Sequence, residues 1–120
     1  TFSTPRELST NLTPKHTVHA PQAYSWADEE RDLTAWLGND LQDDAFTQIY
    51  ELEQAVLNTQ DPDLIRTWRL LQTSDHFYYM CTKYFNDGDV HKYFNHYNSP
   101  YEAYINYMNV INDFRQTIQQ

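Results

Sequence analysis

Glycine is scarce in this sequence, with only two residues among 120. Average usage of about 7% would supply roughly eight, and β-sandwiches and barrels need glycine at many of their turns. The scarcity therefore argues against a turn-dense β fold and favours a helical one. The length allows one small domain and excludes a complete (β/α)8 barrel, which takes about 250 residues.

Cysteine and long apolar runs are also lacking. The single cysteine, Cys81, excludes an internal disulfide, and its position in an aromatic run is typical of a buried, unreactive thiol. No run approaches the roughly eighteen apolar residues of a membrane-spanning helix, and no basic-then-apolar signal pattern begins the chain. We therefore expect no membrane partner and a cytoplasmic location. Because the chain starts with Thr1 rather than methionine, we expect it to be part of a longer protein.

Basic residues are few, with eight Lys and Arg against seventeen Asp and Glu. The acidic excess is concentrated between residues 26 and 58, which carry nine acids and one base. Such a field repels phosphate groups, so nucleic acids and anionic membrane surfaces are poor candidates as ligands.

Aromatic residues are abundant instead, with ten tyrosines, six phenylalanines and three tryptophans. The core must therefore be built largely from rings. Tyrosine combines apolar area with a hydroxyl that needs a partner. The ring cluster between Phe77 and Tyr107 accordingly suits either a core or a surface that another protein covers.

The first 58 residues divide into an arm and a helix. Residues 1–24 contain three prolines and lack periodic apolar spacing, which predicts an extended arm and leaves 25–120 as the domain. A capping box at Ser25 and an apolar stripe that repeats every three or four residues predict one helix over 25–58. Gly38 lies in the interior of that helix.

Start signals predict two further helices. Asp61 with a following proline begins the second, which stops near residue 88, and Ser99 with a following proline begins the third, which runs almost to the C-terminus. The short connections predict an all-α fold, an antiparallel three-helix bundle with an extended N-terminal arm.

Two residues of the first predicted helix form a candidate sugar-binding pair. Asp32 and Trp36 are four residues apart and share a helix face, and Gly38 would allow a ligand to approach closely. A carboxylate beside an indole suits a pyranose, which has hydroxyls at its rim and an apolar C–H face. Spacing alone also allows Trp36 to be a core residue. The acids near the helix start are then explained by the positive charge at the N-terminus of a helix.

Other acids are weaker candidates. Asp75 lies on an apolar stripe, so its carboxylate must be hydrogen-bonded or lie at a cleft. Asp28 and Glu29 point about 100° apart on a helix and cannot converge on one glycosidic bond, so we expect no catalytic residue here. The segment 86–96 has acids and histidines but matches no calcium or zinc pattern, so we expect no metal and no cofactor.

Three longer stretches carry a family resemblance: YSWADEERDLTAWLGND at 24–40, WRLLQTSDHFYYMCTK at 68–83 and SPYEAY at 99–104. They resemble the helical region that follows the catalytic barrel in α-amylases of glycoside hydrolase family 57. The resemblance implies a retaining, metal-independent enzyme acting on α-glucans, whose catalytic glutamate and aspartate lie in the barrel and outside this chain. The implied partners of this C-terminal helical domain are that barrel and the α-glucan.

The family's acid followed by Trp-x-Gly resembles Asp32 with Trp36 and Gly38, which would then help to hold the glucan. In other members the acid stands three rather than four residues before the tryptophan, so Asp28 or Glu29 are substitutes for Asp32. The alternative to an enzyme domain is a free-standing helical interaction module that binds a protein through a tyrosine-rich face.

Overall fold

The computed structural model describes residues 1–27, 29–83 and 95–120, which contain seven α-helices and no strand. The helices are α1 Pro5–Asn11, α2 Thr34–Leu37, α3 Asp40–Glu51, α4 Glu53–Thr59, α5 Pro62–Leu71, α6 Ser74–Tyr78 and α7 Pro100–Ile118. The prediction of an all-α fold is confirmed. None of these helices has both the length and the apolar composition needed to cross a bilayer.

Both proline-based helix starts are confirmed. The Asp61 carboxylate accepts hydrogen bonds from two backbone N–H groups of the first turn of α5. The Ser99 hydroxyl accepts a bond from the Glu102 N–H at 3.1 Å, and the Glu102 carboxylate accepts one from the Asn98 N–H at 2.9 Å. Each cap satisfies backbone donors that the helix itself cannot pair.

The prediction of one continuous helix over 25–58 is wrong. Residues 25–33 contain no helix among those described, and α2 has only four residues. The side chain of Asn39 then caps a new helix, α3, by accepting a hydrogen bond from the Gln42 N–H at 3.0 Å. A further interruption at Leu52 separates α3 from α4.

The second predicted helix is also divided, because α5 ends at Leu71 and α6 begins only at Ser74. Thr73, between them, has the extended backbone angle ψ of 130°. The predicted stop near residue 88 lies outside the described residues. The described helices therefore do not form three continuous rods.

Every residue of the arm 1–24 is exposed. The prediction that it contains no helix is wrong at α1, where Thr4 and Glu7 form a capping box with bonds of 2.8 and 3.3 Å. The bonds to Thr4 hold the pKa of the Glu7 carboxyl below its usual value. Residues 12–24 have neither helix nor strand, as predicted.

The main core lies where α3 packs along α7 and α4 packs against α5. Its buried residues are Ala45, Ile49, Leu52, Val56, Trp68, Leu71, Phe77, Met80, Ala103, Tyr107, Ile111 and Phe114. Four of these twelve side chains carry aromatic rings, so the prediction of a core built largely from rings is confirmed only in part. The polar atoms of two rings find backbone partners: Trp68 Nε1 donates to the Ile49 carbonyl at 2.9 Å, and the Tyr107 hydroxyl donates to the Leu71 carbonyl at 2.7 Å.

A smaller second core forms where α2 packs against α6. It consists of Ala27, Ala35 and Tyr78, with Trp36 packed against them. The nearby thiol of Cys81 is buried, as expected. This second core fixes the position of α2 and of the loop that precedes it.

Candidate functional site

An open cleft lies beside the start of α2, where the end of the arm passes the loop that precedes this helix. Its volume is about 320 Å³, and the described residues that line it are Gln22, Ala23, Glu30, Asp32, Leu33, Thr34 and Leu37. Two carboxylates and a hydroxyl stand beside two leucines. This acidic cleft therefore offers both hydrogen-bonding groups and apolar surface, the combination found in small-molecule sites.

The loop that carries Asp32 is closed by hydrogen bonds across its base. The Ser25 N–H donates to the Arg31 carbonyl at 2.8 Å, and the Ser25 hydroxyl donates to the Asp32 carbonyl at 2.6 Å. The Arg31 guanidinium donates to the Trp26 carbonyl at 2.6 Å. The backbone angle φ of Arg31 is 55°, in the left-handed region. Ser25 thus closes a loop instead of capping a helix.

The Asp32 carboxylate is held by Thr34. Its Oδ1 atom accepts hydrogen bonds from the Thr34 hydroxyl at 2.6 Å and from the Thr34 N–H at 2.9 Å. These bonds, and more weakly the charge of Lys83, hold the pKa of Asp32 below its usual value. The side chain is therefore ionised at neutral pH.

Trp36 lies in the second core and is half-buried. Its ring makes edge-to-face contacts with Trp26, at a centroid distance of 6.3 Å, and with Tyr78, at 5.6 Å. Asp32 precedes α2 and Trp36 lies within it, so the prediction that the two residues share a helix face is wrong. Among the described residues, Asp32 lines the acidic cleft and Trp36 does not.

Gly38 ends α2 and is not in a helix interior. A Cβ atom at this position would lie 2.1 Å from the Thr34 carbonyl oxygen. Glycine is therefore needed because the backbone at position 38 lies close to the backbone of Thr34, one turn earlier, and not because a ligand approaches it.

Replacing Gly38 with alanine is expected to lower the free energy of unfolding by about 1–3 kcal/mol. The obstructing atom belongs to the backbone and cannot move as a side chain would, so α2 must distort near Thr34. Urea denaturation followed by circular dichroism measures the change. A matched exposed variant, Ser9→Ala in α1, is expected to unfold like the unchanged chain, and equal stability of Gly38→Ala would contradict the prediction.

Gln42 was missed by the sequence analysis, although it is fully buried. Its Oε1 atom accepts a hydrogen bond from the Gly38 N–H at 2.8 Å, and its Nε2 atom donates to the carbonyls of Ala35 at 2.8 Å and Phe77 at 2.9 Å. The carboxamide thus ties the end of α2 to α6. A signal was present, because Gln42 lies three residues before Ala45 on the same apolar stripe.

Of the weaker candidates, Glu29 and Asp75 are described, and neither lines the cleft. Glu29 is exposed in the loop, and Asp28 lies outside the described residues. Asp75 is exposed in the first turn of α6, so the apolar stripe on which the sequence places it does not bury its carboxylate. Burial, and then the charge of Asp75, raise the pKa of the neighbouring Tyr79.

A second cavity of about 200 Å³ lies between α6 and α7. It is lined by Leu71, His76, Tyr79, Tyr97, Ala103, Asn106, Tyr107 and Val110. The rings of Tyr79 and Tyr97 meet edge to face at 5.9 Å, and burial raises the pKa of Tyr107. Three tyrosines of the ring cluster, Tyr79, Tyr97 and Tyr107, therefore line this cavity.

Most of the segment 86–96, considered above as a metal loop, lies outside the described residues. Within the ranges that the structure does describe, no three His, Cys, Asp or Glu side chains are grouped so as to hold a metal ion.

Comparison with known proteins identifies a relative in an archaeon. The chain is 37% identical over 112 residues to a protein of Methanocaldococcus jannaschii named "Putative alpha-amylase", and the alignment covers 86% of this chain. The chain spans about a quarter of that protein, 24% of its length. No family model matches the chain, and no solved structure matches it. The chain is therefore related in sequence to an α-amylase-type glycoside hydrolase.

Proposed function

We propose that this chain is the C-terminal helical domain of a family 57 α-amylase-type enzyme and that it helps to form the cleft for an α-glucan. The observation that carries the proposal is the 37% identity to the archaeal protein across 86% of this chain. Because the chain corresponds to 24% of that protein, most of such an enzyme lies outside it. The stretches 24–40, 68–83 and 99–104 support the placement after a catalytic barrel.

In this proposal Asp32 contacts the glucan directly. Its carboxylate is ionised and oriented by Thr34, and it faces an open cleft of a size that admits sugar units. An ionised carboxylate accepts strong hydrogen bonds from hydroxyls, and the neighbouring Leu33 and Leu37 offer apolar surface to the C–H groups of a pyranose. Trp36 contributes the accessible part of its ring and holds the largely exposed Trp26.

The proposed partner of the domain is the catalytic barrel of the same enzyme. Tyr101 and Ile105 are four residues apart on α7 and are 64% and 57% exposed, on the side away from the main core. We propose that these two side chains form part of the contact face. A free-standing interaction module would use the same residues, and the glucan experiments below separate the two functions.

The isolated chain is expected to release no reducing sugar from soluble starch or maltooligosaccharides. The reason is that the catalytic pair implied by the resemblance lies in the barrel. A reducing-end assay on the purified chain measures this, with an Asp32→Asn preparation as control for a contaminating hydrolase. Hydrolysis by the chain that disappears in the Asp32→Asn protein would contradict the proposal.

In the full-length enzyme, Asp32→Asn is expected to raise KM for maltooligosaccharides about tenfold, as expected for loss of one charged hydrogen bond. The value of kcat should stay within about twofold, because uniform binding affects KM alone. Steady-state kinetics measure both. Asp75→Asn is the matched control, since Asp75 is exposed and is not among the described residues lining the cleft. Equal KM values for the two variants would overturn the role of Asp32.

A further inference from the structure

Lys83 contacts two of the residues that line the acidic cleft. Its Nζ atom donates a hydrogen bond to the Thr34 hydroxyl and lies 3.4 Å from the Glu30 carboxylate. The Thr34 hydroxyl donates in turn to Asp32 Oδ1 at 2.6 Å. Lys83 itself is not among the described residues that line the cleft, and its side chain is 25% exposed.

The direction of these hydrogen bonds follows from the groups involved. An ammonium group only donates, and an ionised carboxylate only accepts. The Thr34 hydroxyl between them must therefore accept from Lys83 and give its one proton to Asp32. Consecutive hydrogen bonds with the same direction polarise and strengthen one another. The contact with Lys83 thus leaves the hydroxyl one orientation, the one that holds the Asp32 carboxylate.

The backbone before Lys83 is anchored to the rest of the fold. Met80 is fully buried, and its carbonyl accepts a hydrogen bond from Asn39 Nδ2 at 2.9 Å. The Cys81 N–H donates to the Tyr78 carbonyl at 2.9 Å. Lys83 therefore reaches the loop from a segment attached to both the second core and the start of α3.

We propose that Lys83 is a positioning residue for glucan binding, which fixes Thr34 and Glu30 so that the Asp32 carboxylate is presented to the cleft in one orientation. Lys83 does not touch the glucan and acts through the Thr34 hydroxyl. Its charge also offsets the repulsion between Glu30 and Asp32, the two carboxylates of the cleft wall. This inference rests on the proposed function, in which Asp32 binds the glucan.

The first test needs no glucan. In the isolated chain, the pKa of Asp32 is measured by NMR from the chemical shift of its carboxyl carbon. Glu30 and Lys83 are the nearby charged side chains that also act on this pKa. Thr34→Val is expected to raise this pKa towards the ordinary aspartate value, and Lys83→Met to raise it by less. Thr34→Ser, which keeps the hydroxyl, is expected to preserve it. An unchanged pKa in Lys83→Met would overturn the inference, whatever the result for Thr34→Val.

The second test uses the full-length enzyme and maltooligosaccharides. Thr34→Val and Lys83→Met are expected to raise KM about three- to tenfold with kcat within about twofold, and Thr34→Ser to keep the original KM. A purely structural role would instead lower the melting temperature and leave KM unchanged, which would overturn the inference. If Lys83→Met fails to fold, Lys83→Gln replaces it, because it also removes the charge and keeps a polar side chain of similar length. An original KM in that variant would overturn the inference, whereas Thr34→Val tests only the hydroxyl through which Lys83 acts.

Asp32→Asn distinguishes failure of the positioning role of Lys83 from failure of the proposed glucan contact. If Asp32→Asn raises KM while Thr34→Val and Lys83→Met do not, the positioning role is wrong and the proposed function stands. If Asp32→Asn leaves KM unchanged, the glucan contact itself is wrong, and the role of Lys83 falls with it.

Discussion

Replacing Gln42 with leucine is expected to lower the free energy of unfolding by about 3 kcal/mol, because backbone groups paired by this buried side chain lose their partners. The Gly38 N–H loses its acceptor, and the carbonyls of Ala35 and Phe77 lose a donor. The Phe77 carbonyl keeps the Met80 N–H at 3.1 Å, so two groups rather than three carry most of the cost. Urea denaturation followed by circular dichroism measures the loss.

Gln42→Glu is a sharper version of the same test, because it keeps the shape of the side chain. It places a carboxylate oxygen where Nε2 now donates to two carbonyls, so the destabilisation should be at least as large at neutral pH. Acidification should restore part of the stability, since a protonated carboxyl can donate again.

The matched control is Gln54, which is exposed and whose Nε2 atom donates to the Asn58 side chain at 2.8 Å. Gln54→Leu and Gln54→Glu are expected to change the free energy of unfolding by less than about 0.5 kcal/mol, as is usual at surface sites. If the Gln42 and Gln54 variants were equally stable, the hydrogen bonds of Gln42 would not hold α2 to α6.

The helix starts could be predicted because their causes are local. Asp61 and Ser99 each accept bonds from backbone donors two or three residues later, so the sequence contains both partners. The same reasoning applied to Thr4 and Glu7 would have found α1, which the prolines of the arm concealed.

The division of the first predicted helix could not be seen in the apolar pattern. The stripe from Ala45 to Val56 continues across the interruption at Leu52, because α3 and α4 face the same main core. The first break depends on Asn39 and Gln42, whose side chains bind Met80 and Phe77, 41 and 35 residues away. A periodic pattern reports which face is buried and does not report whether the backbone is continuous.

The candidate site shows the same limit. The spacing of four residues between Asp32 and Trp36 predicts that both lie on one helix face. In the structure Asp32 instead lies two residues before α2 and accepts hydrogen bonds from Thr34. The contact between Lys83 and Thr34 joins residues 49 apart, and no local motif links them. Residue type and the family resemblance could indicate Asp32, but only the fold brings Lys83 to it.

If the proposed function is correct, Trp36→Ala in the full-length enzyme is expected to lower kcat/KM for maltooligosaccharides about tenfold, because the accessible part of the ring and its support of the Asp32 loop are both lost. The same change should lower the free energy of unfolding by about 2 kcal/mol, less than for a fully buried tryptophan, because Trp36 is half-buried. Its ring supports Trp26 at 6.3 Å and Tyr78 at 5.6 Å, so truncation loosens the loop that carries Asp32.

Two variants separate these effects when kinetics are measured well below every melting temperature. Trp36→Phe keeps a ring against Tyr78 and should restore most of the stability but only part of the kcat/KM. Trp68→Phe is the matched control, because Trp68 is buried in the main core, donates to the Ile49 carbonyl and is not among the described residues that line the cleft. It should lower stability and leave kcat/KM unchanged. If Trp36→Ala behaved like Trp68→Phe, Trp36 would be a core residue alone, and glucan binding by this domain would depend on Asp32 and the residues that orient it.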